Sequence, residues 1–260
     1  MLVSRDVILT YINDKGMVLP MSFFSPFFLL GCREQMQNNI SSEKLTGNDG
    51  EILTGMSTDI RHIEITGFFD TAVGRRGMEG EMKKVFNTGC AGTLEYFHTV
   101  DRRHYTINCL LDKTPEVAWG NARVEFVVNL KCLDPYWYGE EIINQIPPYS
   151  FTFMNAGDST AGFVCELSGS ASAPFIKNTS GSEIAFVANL SNGLLKITSL
   201  PNKSLVEVNG HNAMKYLTDA ARRKFFLLEI GTNTINYGAA SGTAGLSAKL
   251  AYKPRYLGTF

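Results

Sequence analysis

Residues 123–140, RVEFVVNLKCLDPYWYGE, contain the most informative pattern in this chain of 260 residues. In the first ten of these residues apolar and polar side chains alternate, and Val127 alone breaks the pattern. One side carries Val124, Phe126, Val128, Leu130 and Cys132. Such alternation predicts a β-strand with one buried face. Three consecutive aromatic residues, Tyr136, Trp137 and Tyr138, follow just ahead of a change in composition.

The sequence before this stretch predicts further strands and one helix. Residues 3–12, 60–66 and 103–111 alternate in the same way. The last of them is expected to form a long antiparallel hairpin with residues 123–132, across a link at residues 113–122. Helical spacing occurs in residues 78–87, where the apolar positions are Met78, Met82, Val85 and Phe86. This spacing predicts an amphipathic helix that lies on a sheet.

Residues 36–58 are polar, rich in turn-forming residues and without a clear period. More than twenty residues of this kind are unusual for an internal loop, and such loops are usually disordered or serve as contact arms. A protruding hairpin that turns at Asn48-Asp49-Gly50 is the other interpretation.

After residue 148 the composition shifts to Gly, Ser, Asn, Thr and Ala. Turn signals such as Ser180-Gly181, Asn192-Gly193 and Asn209-Gly210 separate short apolar runs. Asn-Gly between such runs is a strong hairpin signal. Many short strands at this spacing predict a β-sandwich or barrel, with one helical turn near residues 218–224. Pro147-Pro148 predicts a stiff connector ahead of it.

Composition and motifs argue against several classes of protein. Acidic residues number 25 and basic residues 24, so the phosphate-binding excess of a nucleic-acid-binding protein is missing from the sequence. The chain has no run of 18 apolar residues, which argues against a membrane-spanning helix. Metalloprotease, zinc-finger, P-loop, dinucleotide-binding and serine-hydrolase motifs are also missing. We therefore expect no catalytic residues, no cofactor and no metal ion.

The five cysteines are dispersed and odd in number, which does not indicate a disulfide framework. Cys109 and Cys132 fall on the apolar sides of strands and are expected to be buried, and folding in a reducing cytoplasm is expected. Residues 17–32 end in LLGC, which resembles a bacterial lipoprotein cleavage box. Because Pro20 and Pro26 interrupt that stretch, we expect a pair of strands or one bent strand there instead.

Four groups of residues, taken in order, carry a resemblance to a known family. These are Cys132, Asp134, Pro135, Tyr136, Trp137 and Tyr138; then Asn155, Gly157 and Asp158; then Ala173, Pro174, Phe175 and Asn178; and finally residues 225–230 followed by Gly231, Thr232 and Asn233. Their order and spacing resemble the distal tail proteins of siphophages and related prophages. Residues 159–172 match that family only loosely.

The resemblance implies a mainly β fold. Residues 1–140 would form a tail-tube-like β-sandwich or barrel with one helix, from which an arm at about 36–58 protrudes. Residues 141–148 would be a linker, and residues 149–260 a galectin-like β-sandwich of the carbohydrate-binding-module type.

The resemblance also implies a structural role without chemistry. Six copies would form a hub ring at the virion tail tip, after assembly in the bacterial host cytoplasm, and connect the tail tube to the tip or baseplate. Expected partners are the chain itself, the tail-tube, tape-measure and tail-associated lysin or tip proteins, and a receptor-binding protein. The candidate interface residues are Asn39, Glu43, Lys44, Asn48, Asp49 and Glu51 in the arm, with Tyr136, Trp137 and Tyr138.

Two alternatives remain at this point. The chain is a carbohydrate-binding protein if its C-terminal sandwich recognises a host surface glycan, although residues 149–260 contain no tryptophan. It is a tail-tube subunit with an appended sandwich if it polymerises into long tubes. Packing inside the chain competes with an intermolecular role for the three consecutive aromatic residues. Sequence-specific nucleic acid and membranes are not expected partners.

Overall fold

The computed structural model describes residues 4–44, 52–70, 75–87, 91–120, 123–147 and 149–259. The chain divides into two compact units. The first comprises Met1–Trp137 together with Gly258–Phe260, and the second comprises Tyr138–Leu257. We call them the N-terminal and C-terminal units.

The N-terminal unit is a closed barrel with a helix. Its elements are β1 (Val7–Asn13), β2 (Val18–Ser22), β3 (Phe27–Glu43), β4 (Ile52–Asp70), α1 (Arg75–Val85), β5 (Ala91–His98), β6 (Arg103–Trp119) and β7 (Arg123–Cys132), with β8 (Trp137–Tyr138) at its end. Neighbouring strands follow the order β6-β5-β1-β2-β3-β4-β7, and β7 also pairs with β6. This last pairing closes the sheet on itself. Strands β2 and β3 pair in parallel.

The barrel core confirms the strand and helix patterns of the sequence. The five inward positions of β7, from Val124 to Cys132, are almost completely buried, as are Ile63 and Ile65 of β4. Helix α1 buries Met78, Met82 and Val85, and Phe86, which directly follows the helix, is also buried and stacks on Tyr11 of β1 with 4.5 Å between ring centroids. The Asn13 side-chain amide donates to the Val85 carbonyl oxygen at 3.1 Å, which satisfies a carbonyl group at the end of the helix.

The polar segment 36–58 belongs to a long hairpin. Strands β3 and β4 pair from Phe27 opposite Phe69 to Glu43 opposite Ile52, while the predicted turn at residues 48–50 lies outside the described residues. The register shifts at three places along this ladder, at residues 29–31, 36–38 and 41–42. Each bulge reverses the phase of the side chains that follow it. The backbone of the described part of this segment is extended, although its sequence shows no continuous alternation.

The hairpin of β6 and β7 is longer than its sequence pattern predicts. Instead of a link at residues 113–122, β6 continues to Trp119 and β7 begins at Arg123. The register shifts between Lys113 and Glu116, on either side of Pro115. A bulge accommodates proline within a sheet because that residue donates no ladder hydrogen bond there. The proline therefore interrupts the pairing and does not end the strand.

The C-terminal unit is a two-layered β-sandwich. Its elements are β9 (Ile142–Ile146), β10 (Ser150–Asn155), β11 (Phe163–Ser172), β12 (Phe175–Asn178), β13 (Glu183–Ala185), β14 (Asn189–Leu200), β15 (Lys203–Val208), β16 (His211–Asn212), α2 (Asp219–Arg223), β17 (Gly231–Gly238), β18 (Leu246–Tyr252) and β19 (Arg255–Tyr256). One sheet has the order β16-β15-β14-β11-β18-β9 and the other β10-β17-β12-β13. Their inner faces form one core, with Phe163, Ile197 and Ile235 among its fully buried residues.

Two of the turn predictions in this unit have different outcomes. Asn209 and Gly210 both have positive φ, 49° and 81°, between β15 and β16. These are the values of the tight hairpin turn that Asn-Gly predicts, so this turn is confirmed. Asn192-Gly193 lies inside β14, where Asn192 has φ of 43° and the pairing with β11 is irregular. The same dipeptide therefore forms a bulge here, and the predicted hairpin turn is wrong.

Other boundaries in this unit also differ from the sequence analysis. The apolar run 225–230 forms no regular strand; Leu228 makes only an isolated bridge to Ala161. The segment predicted as a linker, residues 141–148, contains β9, which pairs with β18 and buries Ile146. A short edge strand carries too few residues for its alternation to be distinguished from a connector. The helical turn near residue 218 is confirmed as α2, with Thr218 as its N-cap.

The cysteines behave as buried apolar residues. Cys32, Cys109, Cys132 and Cys165 are free thiols with 5% exposure or less, whereas Cys90 lies outside the described residues. Burial raises the pKa of the Cys32 thiol to about 12, and the neighbouring Glu34 carboxylate acts in the same direction. Burial likewise raises the pKa of Cys165 to about 12. A hydrogen bond with Cys109 and burial raise the pKa of Cys132.

Since thiolates are the reactive species, the folded chain is expected to resist thiol reagents. In a Cys90→Ser variant at about pH 8, a chromogenic disulfide reagent should modify the four buried thiols only as fast as the protein opens. Adding denaturant should release all four at once. Prompt reaction of any thiol in the folded variant would contradict the burial described here.

Candidate interaction surfaces

The base of the long hairpin contains a buried ion pair. Arg61 of β4 is 1% exposed, and its guanidinium group forms an ion pair with Glu34 of β3. The Arg61 Nε atom also donates to the Pro135 carbonyl oxygen at 2.6 Å. The Trp137 indole nitrogen donates to Glu34 Oε2 at 3.2 Å. We call these four residues the hairpin-base cluster, because they connect the hairpin to the segment that follows β7.

The hairpin-base cluster corrects one predicted interface residue. Trp137 has no exposed surface in this chain and packs edge-on against Tyr96, 6.4 Å between ring centroids. Its polar atom is satisfied internally by Glu34, as is usual for a buried indole. Trp137 is therefore an internal anchor and not a contact for a neighbouring molecule. Tyr136 and Tyr138 are partly exposed and stay predictions.

Sequence reasoning did not find Glu34 or Arg61, although the signal was present. Arg61 occupies the same alternation phase as Ile63 and Ile65, the inward-facing residues of β4. A charged residue in an apolar phase is a buried charge that requires a partner. That partner lies 27 positions earlier, on a strand whose phase is obscured by bulges.

The structure places only part of the predicted arm surface. Glu43 and Lys44 are exposed at the end of β3, and Asn39 lies in β3 opposite Ser57. Asn48, Asp49 and Glu51 lie outside the described residues. We call residues 38–43 with residues 52–58 the distal hairpin. Its two paired strands continue the barrel ladder, and they stay a predicted contact surface.

One end of the barrel exposes apolar side chains. Phe24 is 82% exposed, Phe23 is 41% exposed and Val100 is 69% exposed. The turn that carries Val100 adjoins the start of β1, since the Thr99 amide donates to the Asp6 carbonyl oxygen at 2.8 Å. The Arg5 guanidinium carbon lies 4.6 Å from the Phe23 ring centroid. Exposed apolar groups beside charged ones are typical of protein contact sites.

The outer wall of the barrel offers a shallow polar depression. It measures about 170 Å³ and is lined by Arg33, Gln35, His62, Ile63, Glu64, Asn129 and Leu130. Within the described residues, no group of three or more His, Cys, Asp or Glu side chains is placed to hold a metal ion. No helix of the described residues is long and apolar enough to cross a membrane.

Few tyrosines of the C-terminal unit are strongly exposed among the described residues. Tyr149 is 58% exposed ahead of β10, and Tyr216 is 41% exposed ahead of α2. Tyr237 and Tyr252 are buried, and their hydroxyl groups donate to carbonyl oxygens of Leu246 and Met154. A sugar-stacking platform requires aromatic faces that are open to solvent. This distribution does not favour a glycan site.

Comparison with models of protein families identifies one match, in the C-terminal unit. Residues 157–256 match the model of the siphovirus-type tail component, C-terminal domain. No curated protein matches this sequence. The match covers most of the C-terminal unit.

Solved structures show a likeness over the full length. The crystal structure of SPP1 Dit, described as a paradigm of the hub adsorption apparatus in phages that infect Gram-positive bacteria, has a TM-score of 0.74 and 16% sequence identity. The likeness covers 96% of this chain and 99% of that one. A chain of the phage P2 baseplate in its activated conformation with Ca has a TM-score of 0.48 and 10% identity, with 97% and 99% covered. At 16% identity, the first likeness establishes the fold.

Proposed function

We propose that this chain, which has the fold of a distal tail protein over its full length and a siphovirus-type tail component domain at residues 157–256, is a structural hub protein of a phage tail. The observation that carries the proposal is the coincidence of these two findings on one chain. The fold match alone would leave the function open, because one fold serves many functions. The sequence match alone would leave residues 1–156 without an assignment.

The hub proposed here is a ring of six copies. A closed ring needs two different complementary patches on each subunit. The distal hairpin supplies one of them, since it projects paired strands with exposed Glu43 and Lys44 at the end of β3. Strands with unpaired edges readily add to a neighbouring sheet or surface. The exposed residues at the barrel end, Phe23, Phe24 and Val100, supply a contact for the next protein along the tail axis.

The partners follow from this position in a virion. The tail tube and tape-measure protein would lie on one side of the ring, and the tail-associated lysin or tip protein on the other. A receptor-binding protein would dock on the outer surface, and the location would be the tail tip. These assignments rest on the likeness to a hub protein. No enzymatic activity is proposed.

Light scattering on the purified chain tests the ring. The expected mass is that of six copies of 28.7 kDa, about 172 kDa, or a whole-number multiple of that mass. Negative-stain images should show rings with a central hole. A purely monomeric chain at high concentration would contradict self-assembly into a ring, and long tubes would assign the chain to tail-tube subunits. Binding to a glycan array by a monomer would favour a carbohydrate-binding protein.

A further inference from the structure

Two cysteines face each other across the seam that closes the barrel. Strands β6 and β7 pair with Leu110 opposite Lys131. One step further along the same antiparallel ladder, Cys109 lies opposite Cys132. A hydrogen bond joins the two thiol groups, and the Cys109 thiol also donates to the Gly92 carbonyl oxygen at 3.7 Å. The strand register therefore places the pair, and the two side chains are in direct contact.

The spacing of the two strands suits a disulfide bond. Cys109 and Cys132 are free thiols on the inner face of the barrel, with 3% and 0% exposure. Residues directly opposite each other in an antiparallel pair have Cα atoms about 4.5 or 5.5 Å apart. Disulfides bridge Cα separations of about 4.4–6.8 Å, so both spacings are compatible with a bond. The two sulfur atoms thus lie where they can be joined with only small movements of the backbone.

The register separates Cys32 from this pair. Cys32 of β3 aligns with Ile65 of β4, and Ile65 aligns with Val128 of β7. Val128 is four residues from Cys132, which corresponds to about 13 Å along a strand. The fourth described thiol lies in the C-terminal unit. Among the described thiols, one pair is therefore placed for a bond.

We infer that Cys109 and Cys132 form a disulfide when the chain meets an oxidant, and that this bond fastens the seam of the barrel. With hydrogen peroxide as the oxidant, one thiol is first converted to a sulfenic acid, and one water molecule is released. The second thiol then attacks that sulfur atom and expels its hydroxyl group as a second water molecule. Two thiols and one peroxide give one disulfide and two waters, so the thiols lose the two electrons that the peroxide gains.

The reaction is slow while the barrel stays closed. The hydrogen bond with Cys109 and burial raise the pKa of the Cys132 thiol. Because the thiolate is the form that attacks peroxide, oxidation proceeds through brief local openings of the hairpin. When the hairpin closes again, the strand register returns the second thiol to the oxidised sulfur atom. The disulfide therefore forms in preference to further oxidation of one cysteine.

The bond would change the stability of the chain after it leaves a reducing compartment. It closes a loop of 24 residues from Cys109 to Cys132, which restricts the unfolded chain and stabilises the folded barrel. Cytosolic thiols keep such pairs reduced, so a tail protein would carry the dithiol during assembly and the disulfide after release. This consequence rests on the proposed function, whereas the bond itself does not.

Thiol counting on the full chain with Cys90→Ser tests the bond in two samples. One is the folded protein with hydrogen peroxide at about pH 8. The other is refolded from denaturant with a small thiol and its disulfide, where access does not limit exchange. We expect the loss of two of the four thiols, a mass lower by about 2 Da, and a cross-linked peptide that contains Cys109 and Cys132. The thermal midpoint of the N-terminal unit should rise by at least about 5 °C and return to its first value with a reductant.

A disulfide between Cys109 and Cys132 in either sample supports the inference. Retention of all four thiols in both samples would overturn it. A bond to Cys32 or Cys165, or a sulfinic acid in place of the disulfide, would overturn it as well. None of these results depends on ring formation, so failure of the proposed ring is recognised separately by light scattering.

Two alanine variants form a matched pair of controls, because each removes one small buried thiol. Cys32→Ala should still lose two thiols on oxidation and gain thermal stability. Cys109→Ala should form no disulfide and gain no thermal stability. Equal behaviour of the two variants would contradict the assignment of the bond. If Cys109→Ala does not fold, Cys132→Ala tests the same bond, and the cross-linked peptide of the Cys90→Ser chain is decisive without either.

Discussion

Replacing Arg61 by methionine is expected to lower the free energy of unfolding of the N-terminal unit by about 3–5 kcal/mol. The substitution introduces a shorter, uncharged and unbranched side chain, and it removes the only charge that is paired with the partly buried Glu34 carboxylate among the described residues. Even with Arg61 present, Glu34 Oε1 has no hydrogen-bond partner among the described residues. The carboxylate would be left with the Trp137 indole, and the Pro135 carbonyl oxygen would lose its donor.

Denaturant unfolding followed by tryptophan emission measures this effect. Trp119 is half exposed, so a Trp119→Phe background leaves fully buried Trp137 as the reporter. The matched control is Arg61→Met/Glu34→Leu, which removes both charges and should cost clearly less than Arg61→Met alone. If the two variants lose equal free energy of unfolding, packing and not the unpaired charge determines the destabilisation.

Shortening the long hairpin is expected to abolish the ring and to leave a folded monomer. The design deletes residues 39–57 and joins Asn38 to Thr58, which are paired in the register, through an Asn-Gly turn. It retains Glu34 and Arg61, so the hairpin-base cluster stays complete. The physical reason is that, in the proposed ring, the deleted strands supply one of the two patches that a closed ring requires.

Mass by light scattering reads out the assembly of this variant, and the Trp137 emission and unfolding midpoint show whether the barrel is intact. A variant that still forms rings would refute the assignment of the contact to the distal hairpin. A variant that fails to fold is replaced by a shorter deletion, residues 43–52, which ends at the paired residues Ser42 and Leu53 of the bulged ladder. If the shorter variant forms rings, the contact lies in the parts of residues 39–57 that this variant retains.

Much of the fold was predictable where alternation is unbroken. Strand β7 and helix α1 each bury the residues that their periods select, because one face of each lies on the core. The pattern fails at β3 and β4, where bulges change the phase, and at Pro115, which a bulge accommodates within β6. Asn192-Gly193 and Asn209-Gly210 show that identical dipeptides form a bulge or a turn, depending on the strands that flank them.

The sequence by itself determined the class of the chain: two β-rich parts, one amphipathic helix, buried thiols, and a set of ordered segments that resemble distal tail proteins. These are local properties, since they depend on the period and composition of short stretches. Only the tertiary structure decided that Trp137 is an internal anchor and that Arg61 pairs with Glu34. Such relations join residues that are distant in the chain, and they exist only once strand register brings those residues together.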